Sequence, residues 1–184
     1  NFVVGEQAGL KLKNERIVSG DLNYFYRSPM LNARFSVFQT SIEDANEISF
    51  FFAEGIGGDN SSFVQEIMQG ISKKYQGLEV GIEGQILPSL KLKGAASVGE
   101  YIYGNNPNVY LTSDDFGYLD FGEAKMKNLK IATGAQHAYS FGFEFRENYW
   151  WFGMTSNYFE NTYLDVSPIN RTQNFLIDRD GPVS

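Results

Sequence analysis

At 184 residues the chain is long enough for one domain of ordinary size, and its 42% hydrophobic and 16% aromatic content comes with a mean hydropathy of -0.30. The 15 Lys and Arg against 22 Asp and Glu leave a net charge of -7, which argues against a nucleic-acid surface because that needs a basic face. Cysteine is absent, so disulfides, thiolate metal sites and a cysteine nucleophile are excluded.

The hydropathy pattern repeats every two residues rather than every 3.6. From Arg16, "RIVSGDLNYFYR" puts Val18, Leu22, Tyr24 and Tyr26 on one face and Ser19, Asp21, Asn23 and Arg27 on the other. "SPM" turns the chain at Pro29. "LNARFSVFQTS" then alternates Leu31, Ala33, Phe35 and Val37 with Asn32, Arg34, Ser36 and Thr40, which predicts a hairpin. The next stretch, roughly 44–64, reads as a loop or strand tips because "GIGGDNSS" is dense in turn residues. A second hairpin follows. Leu78, Val80 and Ile82 oppose Glu79, Gly81, Glu83 and Gln85 before Pro88, and Leu90, Leu92, Ala96 and Val98 oppose Lys91, Lys93, Ser97 and Tyr101 after it.

Residues 104–136 are polar and without period, and a passage of that length is usually a functional or disordered loop. The last hairpin is "HAYSFGFEFRENYWWFGMTSNYFEN". Tyr139, Phe141, Phe143 and Phe145 share one face of its first strand, against Ser140, Gly142, Glu144 and Arg146. The predicted turn is Glu147-Asn148, and Trp150, Phe152, Met154 and Tyr158 form the outer face of the return strand.

The reading is therefore all-β: about six antiparallel up-and-down strands over 1–184, with short turns at one end and long loops (1–15, 44–64, 104–136, 165–184) at the other. This asymmetry, with apolar-out and polar-in alternation, is the organisation of part of a transmembrane outer-membrane β-barrel. No run of about 20 apolar residues predicts a spanning helix. In this reading Tyr24, Phe35, Phe141, Phe143, Phe145, Trp150 and Phe152 face lipid, with Tyr149, Trp150, Tyr24, Tyr26 and Phe145 as an interfacial girdle near the short turns. The same alternation also builds soluble sandwiches and lipocalin-like barrels, whose aromatic face is core. A soluble β-rich ligand- or carbohydrate-binding module is thus the alternative, with Trp150, Trp151 and Tyr158 as sugar-stacking platforms.

Three phrases narrow the choice: "LKNERIVSGDLNYFYRSPMLNARFSVFQTSIEDANEISFFF", "QGISKKYQGLEVGIEGQILPSLKLKGAASVGEYIYGNNPN" and "AYSFGFEFRENYWWFGMTSNYFENTYLDVSPINRTQNF". They resemble the C-terminal barrel of TonB-dependent receptors of Bacteroidetes, particularly flavobacterial ones, from about Leu10 to Pro182. The resemblance implies a bacterial outer-membrane location and active uptake of a ligand (siderophore, glycan or other nutrient). It also implies a barrel of roughly 22 strands with an N-terminal plug, and no catalytic residue or cofactor. Its implied partners are outer-membrane lipid, the TonB complex through the plug, and a surface lipoprotein. The chain shows no plug and no TonB box, and it ends in Val183-Ser184 rather than a terminal aromatic, so it is read as a section of such a barrel. Both ends read as cut from something longer.

Candidate ligand-binding residues lie in the outer loops: Asp114, Asp115, Tyr118, Asp120, Asn170 and Arg171. The acidic groups at Asp114, Asp115 and Asp120 and at Asp178 and Asp180 have oxygen ligands of the kind calcium takes, but neither has EF-hand spacing, so no metal is expected. His137 is the lone histidine, too few for a zinc site, and is expected to be exposed. Glu79 and Glu83, about 13 Å apart by the strand rise, are too far apart for a glycosidase pair and are expected to line the lumen. The chain has no P-loop, GxGxxG or HExxH, and no convergent hydrolase constellation. It is not expected to be an enzyme.

Overall fold

The computed structural model describes residues 13–53, 62–114 and 117–173. Its strands are β1 (Arg16–Arg27), β2 (Leu31–Ala53), β3 (Ser62–Leu87), β4 (Leu90–Tyr103), β5 (Asn108–Ser113), β6 (Gly117–Glu123), β7 (His137–Glu147) and β8 (Trp150–Glu160). A 3-10 turn, Pro168–Arg171, follows β8. Every pairing is antiparallel. The path β1-β2-β3-β4-β7-β8 is an open up-and-down meander, and β5 leaves it to pair with β3 and β6.

The register places the alternating apolar residues of successive strands side by side. One row runs Tyr24, Phe35, Val80, Ala96, Tyr139, Tyr158 across the whole meander. Rows nearer the short turns bring Leu92, Phe143 and Met154 together, then Leu90, Phe145 and Phe152. Such aromatic and β-branched cross-strand pairs are what stabilise a sheet face. The opposite face carries rows such as Ser36, Glu79, Ser97 and Ala138.

The short turns fall where the sequence predicts two of them. At the first, the Ser28 N–H donates to the Leu31 carbonyl at 2.8 Å. The second is the two-residue link Pro88–Ser89 between β3 and β4. The third sits one residue later than expected, at Asn148–Tyr149, because Asn148 adopts the left-handed φ of 50° that a tight hairpin turn needs and Asn tolerates.

Two of the predicted long loops, 44–64 and 104–136, are more ordered than expected where they are described. The predicted loop at 44–64 is largely strand: β2 continues to Ala53 and β3 begins at Ser62, leaving 54–61 outside the described residues. The predicted loop at 104–136 contains the hairpin β5–β6, so the strands number eight rather than six. The alternation was disguised because both strands carry a bulge at one level. The pairing shifts between Ile42 and Asn46, with Asp44 at φ 55° and Gly70 at φ +72°. Each bulge inserts one residue and resets which side chains point inward. On β3 the even residues Val64 and Met68 pack toward the core before Gly70, and the odd residues Ile71 and Tyr75 do so after it.

That core is not under the meander. It lies beyond the bulges, where Ala45, Val64, Met68, Ile71, Tyr103, Val109, Leu111, Phe121, Ala124, Met126, Ile131 and Ile169 form one buried cluster. Segments from three of the four predicted long loops, 44–64, 104–136 and 165–184, thus meet in a single cap. Side chains replace backbone partners where the chain is irregular: Asn105 accepts from the Ser72 N–H at 2.8 Å and donates to the Gly70 carbonyl at 2.7 Å. Gln136, 2% exposed, pairs in both directions with the Tyr101 backbone, like one rung of a strand.

Candidate functional site

Two surfaces have the geometry to do something: the two-faced meander and a cleft in the cap. The apolar face of the meander is open. Tyr24, Phe35, Phe141, Trp150 and Phe152 are exposed, and Phe143 and Phe145 are half-buried. All of these predicted lipid-facing residues share that one face by register. Leu22, Val37, Leu78, Val80, Ile82, Met154 and Tyr158 join them as exposed large hydrophobics, and no second layer covers them among the described residues. Phe143 and Phe152 touch diagonally, ring centroids 5.6 Å apart. At the turn end Tyr149 and Trp151 are also fully or largely exposed.

The other face is polar and ion-paired. Lys91 bonds Glu83 at 3.1 Å, and Lys93 bridges Glu144 on one side to Glu83, 3.9 Å away, on the other. Arg34 lies 3.9 Å from Glu79 and donates through Nε to the buried Ser36 hydroxyl at 2.9 Å. Glu79 and Glu83 are therefore ion-pair partners of this face and do not converge on a common point. Small side chains at Ala95, Ser97, Ala138 and Ser140 leave a hollow of about 300 Å³ between Arg34 and Asn157. His137 opens β7 as expected but is not an exposed histidine: it is half-buried, with Nδ1 3.2 Å from Glu160 and 3.0 Å from the Asn161 amide.

The loop residues proposed as ligand contacts are not brought to one place. Asp114 sits exposed at the β5–β6 tip and Asp115 lies outside the described residues. Tyr118 stacks on Tyr110 at 5.5 Å, and burial beside Asp120 pushes its hydroxyl pKa up to about 12. The Asp120 carboxylate accepts from the Gly122 N–H at 2.8 Å and so shapes the β6 bulge. Asn170 and Arg171 belong to the 3-10 turn, where the Arg171 Nε donates to the Lys125 carbonyl at 2.6 Å and locks the turn onto the cap. Their short polar signals in sequence are those of turn and capping chemistry, which the structure uses for packing. Asp178 and Asp180 lie outside the described residues. Among the described residues no group of His, Cys, Asp or Glu is placed to hold a metal ion.

What the sequence did not single out is a cleft of about 860 Å³ in the cap. Glu47, Glu66, Asp165 and Tyr103 line it together with Phe51 and Pro168. Glu66 is 4% exposed; it accepts from the Ser49 hydroxyl at 3.0 Å and from the Ile169 N–H at 3.3 Å. Burial raises its carboxyl pKa above the ordinary 4.5, against those two hydrogen bonds and with the help of the nearby Asp165 charge. Glu47 is ion-paired with Lys73, whose ammonium also lies over the Tyr103 ring at 5.6 Å. Burial, then the charges of Glu47 and Asp165, push the Tyr103 hydroxyl up to about 12. The only sequence hint was a glutamate flanked by apolar residues in "FVQEIM".

No helix among the described residues is long and apolar enough to cross a membrane, which leaves spanning by strands open. No protein-family model matches the chain, and no curated protein or solved structure matches it either.

Proposed function

We propose that the chain is a section of an outer-membrane TonB-dependent receptor barrel of the bacterial cell, in which the meander spans the lipid and the cap stands at the outer mouth. The observation that carries this reading is the uncovered apolar face. A water-soluble protein rarely exposes a contiguous apolar patch beyond a few hundred Å². Here large hydrophobics are exposed on every strand of the meander except the small-residue stretch of β4, while the reverse face is ion-paired. Hydrocarbon is the solvent that suits the first face, and water in a lumen suits the second. The eleven residues of β7 and of β8 match the 9–11 that a tilted spanning strand needs. Transport is then driven through the plug and TonB, and the section needs no catalytic group and no cofactor. Its partners are the lipid and, at the cap, a nutrient ligand and a surface lipoprotein.

The competing reading, a soluble ligand- or carbohydrate-binding module, needs a layer over Phe35, Val80, Phe141 and Phe152. Neighbouring Phe143 and Glu144 on opposite faces separate the two. Single cysteines at these positions, labelled with a polarity-sensitive dye in lipid bilayers, are expected to report hydrocarbon at 143 and water at 144. A detergent-free soluble protein with position 143 buried in protein would sink the receptor reading.

A further inference from the structure

The cap cleft has a composition that points to a ligand class independently of how the meander is solvated. Its acceptors outnumber its donors. Of its three carboxylates, only Glu47 has a cation beside it among the described residues, and that cation is Lys73. Glu66 meets a hydroxyl and a backbone N–H but no cation, and Asp165 meets the Val166 N–H at 3.0 Å.

Tyr103 supplies the second observation. The residue is 7% exposed, yet no hydrogen bond to its hydroxyl is formed within the described structure. Among the described residues no buried polar side-chain atom is sealed without a partner, so this hydroxyl keeps an accessible side, and Tyr103 is among the residues that line the cleft. A hydroxyl placed this way has a free acceptor to offer a ligand's donor. Phe51, Met68 and Pro168 give the same space an apolar wall. A volume of about 860 Å³ falls in the range of small-molecule sites, roughly 300–1,000 Å³.

We propose that this cleft binds a small organic cation, a primary ammonium on an apolar arm, with the ammonium between Glu66, Asp165 and the Tyr103 oxygen. An ammonium carries three donors and no acceptor, which complements two carboxylates and a phenol oxygen. A neutral polyol satisfies the same hydrogen bonds but leaves both carboxylates without a counter-charge in a partly dry site. The apolar arm lies along Phe51 and Pro168. A cation beside Glu66 favours its carboxylate, against the burial that disfavours it.

The test is calorimetric titration of the detergent-solubilised protein with 2-phenylethylammonium and with 2-phenylethanol, its neutral counterpart, each corrected against protein-free micelles. The ammonium is expected to bind at least about tenfold tighter, a difference of about 1.4 kcal/mol. Asp165→Asn, at an exposed position, should remove most of the preference for the cation. Tyr103→Phe keeps the ring and the Lys73 contact and should weaken binding several-fold. Equal binding of the alcohol, or a cation preference untouched in Asp165→Asn, overturns the proposal, and tighter binding of a neutral disaccharide used as a third probe does so too. A lipid-facing or a buried Phe143 leaves this result unchanged, so the two proposals fail separately.

Discussion

Substituting Val80 by Arg asks most directly which solvent the apolar face meets. Val80 lies in the middle of the meander, with Phe35 on one side and Ala96 on the other. It is seven residues from Leu87 at the turn end of β3 and seven from Lys73 near the cap. At a strand rise of about 3.3 Å that is roughly 23 Å along the strand in either direction. With a tilt of about 45° this becomes about 16 Å along the membrane normal, close to half of a hydrocarbon core of about 30 Å. An arginine at 80 therefore sits near the midplane, too deep for its head to reach either interface. The expected cost there is about 2–4 kcal/mol, or roughly a 30- to 700-fold loss in the folded-to-unfolded ratio. On a face bathed in water the same change at a residue 39% exposed would cost about 0.5 kcal/mol or less. Ser97→Arg is the control, because that position faces Glu79 and Ala138 on the ion-paired side. The assay is reversible urea unfolding in phosphatidylcholine vesicles, followed by the emission of Trp150 and Trp151. A Val80→Arg variant that matches Ser97→Arg within about 0.5 kcal/mol in bilayers would refute the argument from geometry.

Two further perturbations address the cap. Met126 is 1% exposed in the cap core, so Met126→Ala should cost about 2–5 kcal/mol. Amide exchange should speed up in β5 and β6 and stay unchanged in β7 and β8; equal loss in both would mean that the cap and the meander do not have separate stabilities. Glu66 holds its proton more tightly in the folded cap than in the unfolded chain, so its contribution to stability is full below the ordinary pKa of 4.5 and is lost as pH rises through the raised value. The groups facing it are Asp165, Glu47, Lys73 and Tyr103. Glu66→Gln should flatten that part of the pH profile of cap exchange, and parallel profiles in the two proteins would contradict the assignment.

The meander was legible because its signal is local. A period of two in "NYFYR", "ARFSVF" and "YSFGFEF" fixes both the strands and the face of Tyr24, Phe35, Phe141, Phe143 and Phe145, whatever covers that face. The cap was not legible because its signals are non-local or out of phase. The "NEISFFFA" segment breaks alternation at the Asp44 bulge, and Ile48, Phe50 and Phe52 point away from the core that Ala45 serves. "GNNPN" has the composition of a solvated loop, yet Asn105 and Asn106 spend their amides on the backbone of Gly70, Ser72, Met126 and Lys127. The partners of the candidate loop residues were hidden for the same reason. Asp120 and Arg171 are polar residues in loops, and their partners, Gly122 and Lys125, could be named only once the chain was folded. Glu66, which belongs to the cleft, looked like one more member of a strand.

The paired bulges at Asp44 and Gly70 also govern which length changes the chain can tolerate. Below them, the odd residues of β2 such as Phe35 and Val37 lie on the open apolar face; above them, odd residues such as Ala45 and Phe51 turn to the cap core. Removing Asp44 alone would rotate Ile48, Phe50 and Phe52 inward and carry Glu47 and Ser49 out of the cleft, while β3 kept its original phase. Removing Gly70 alone would do the reverse to Met68, Glu66 and Val64. A one-residue deletion at this level is therefore survivable only with a matching one in the partner strand. The turn at Ser28–Met30 carries no such constraint. Natural variation in length should collect at the hairpin ends and avoid residues 42–46 and 69–72 in single steps.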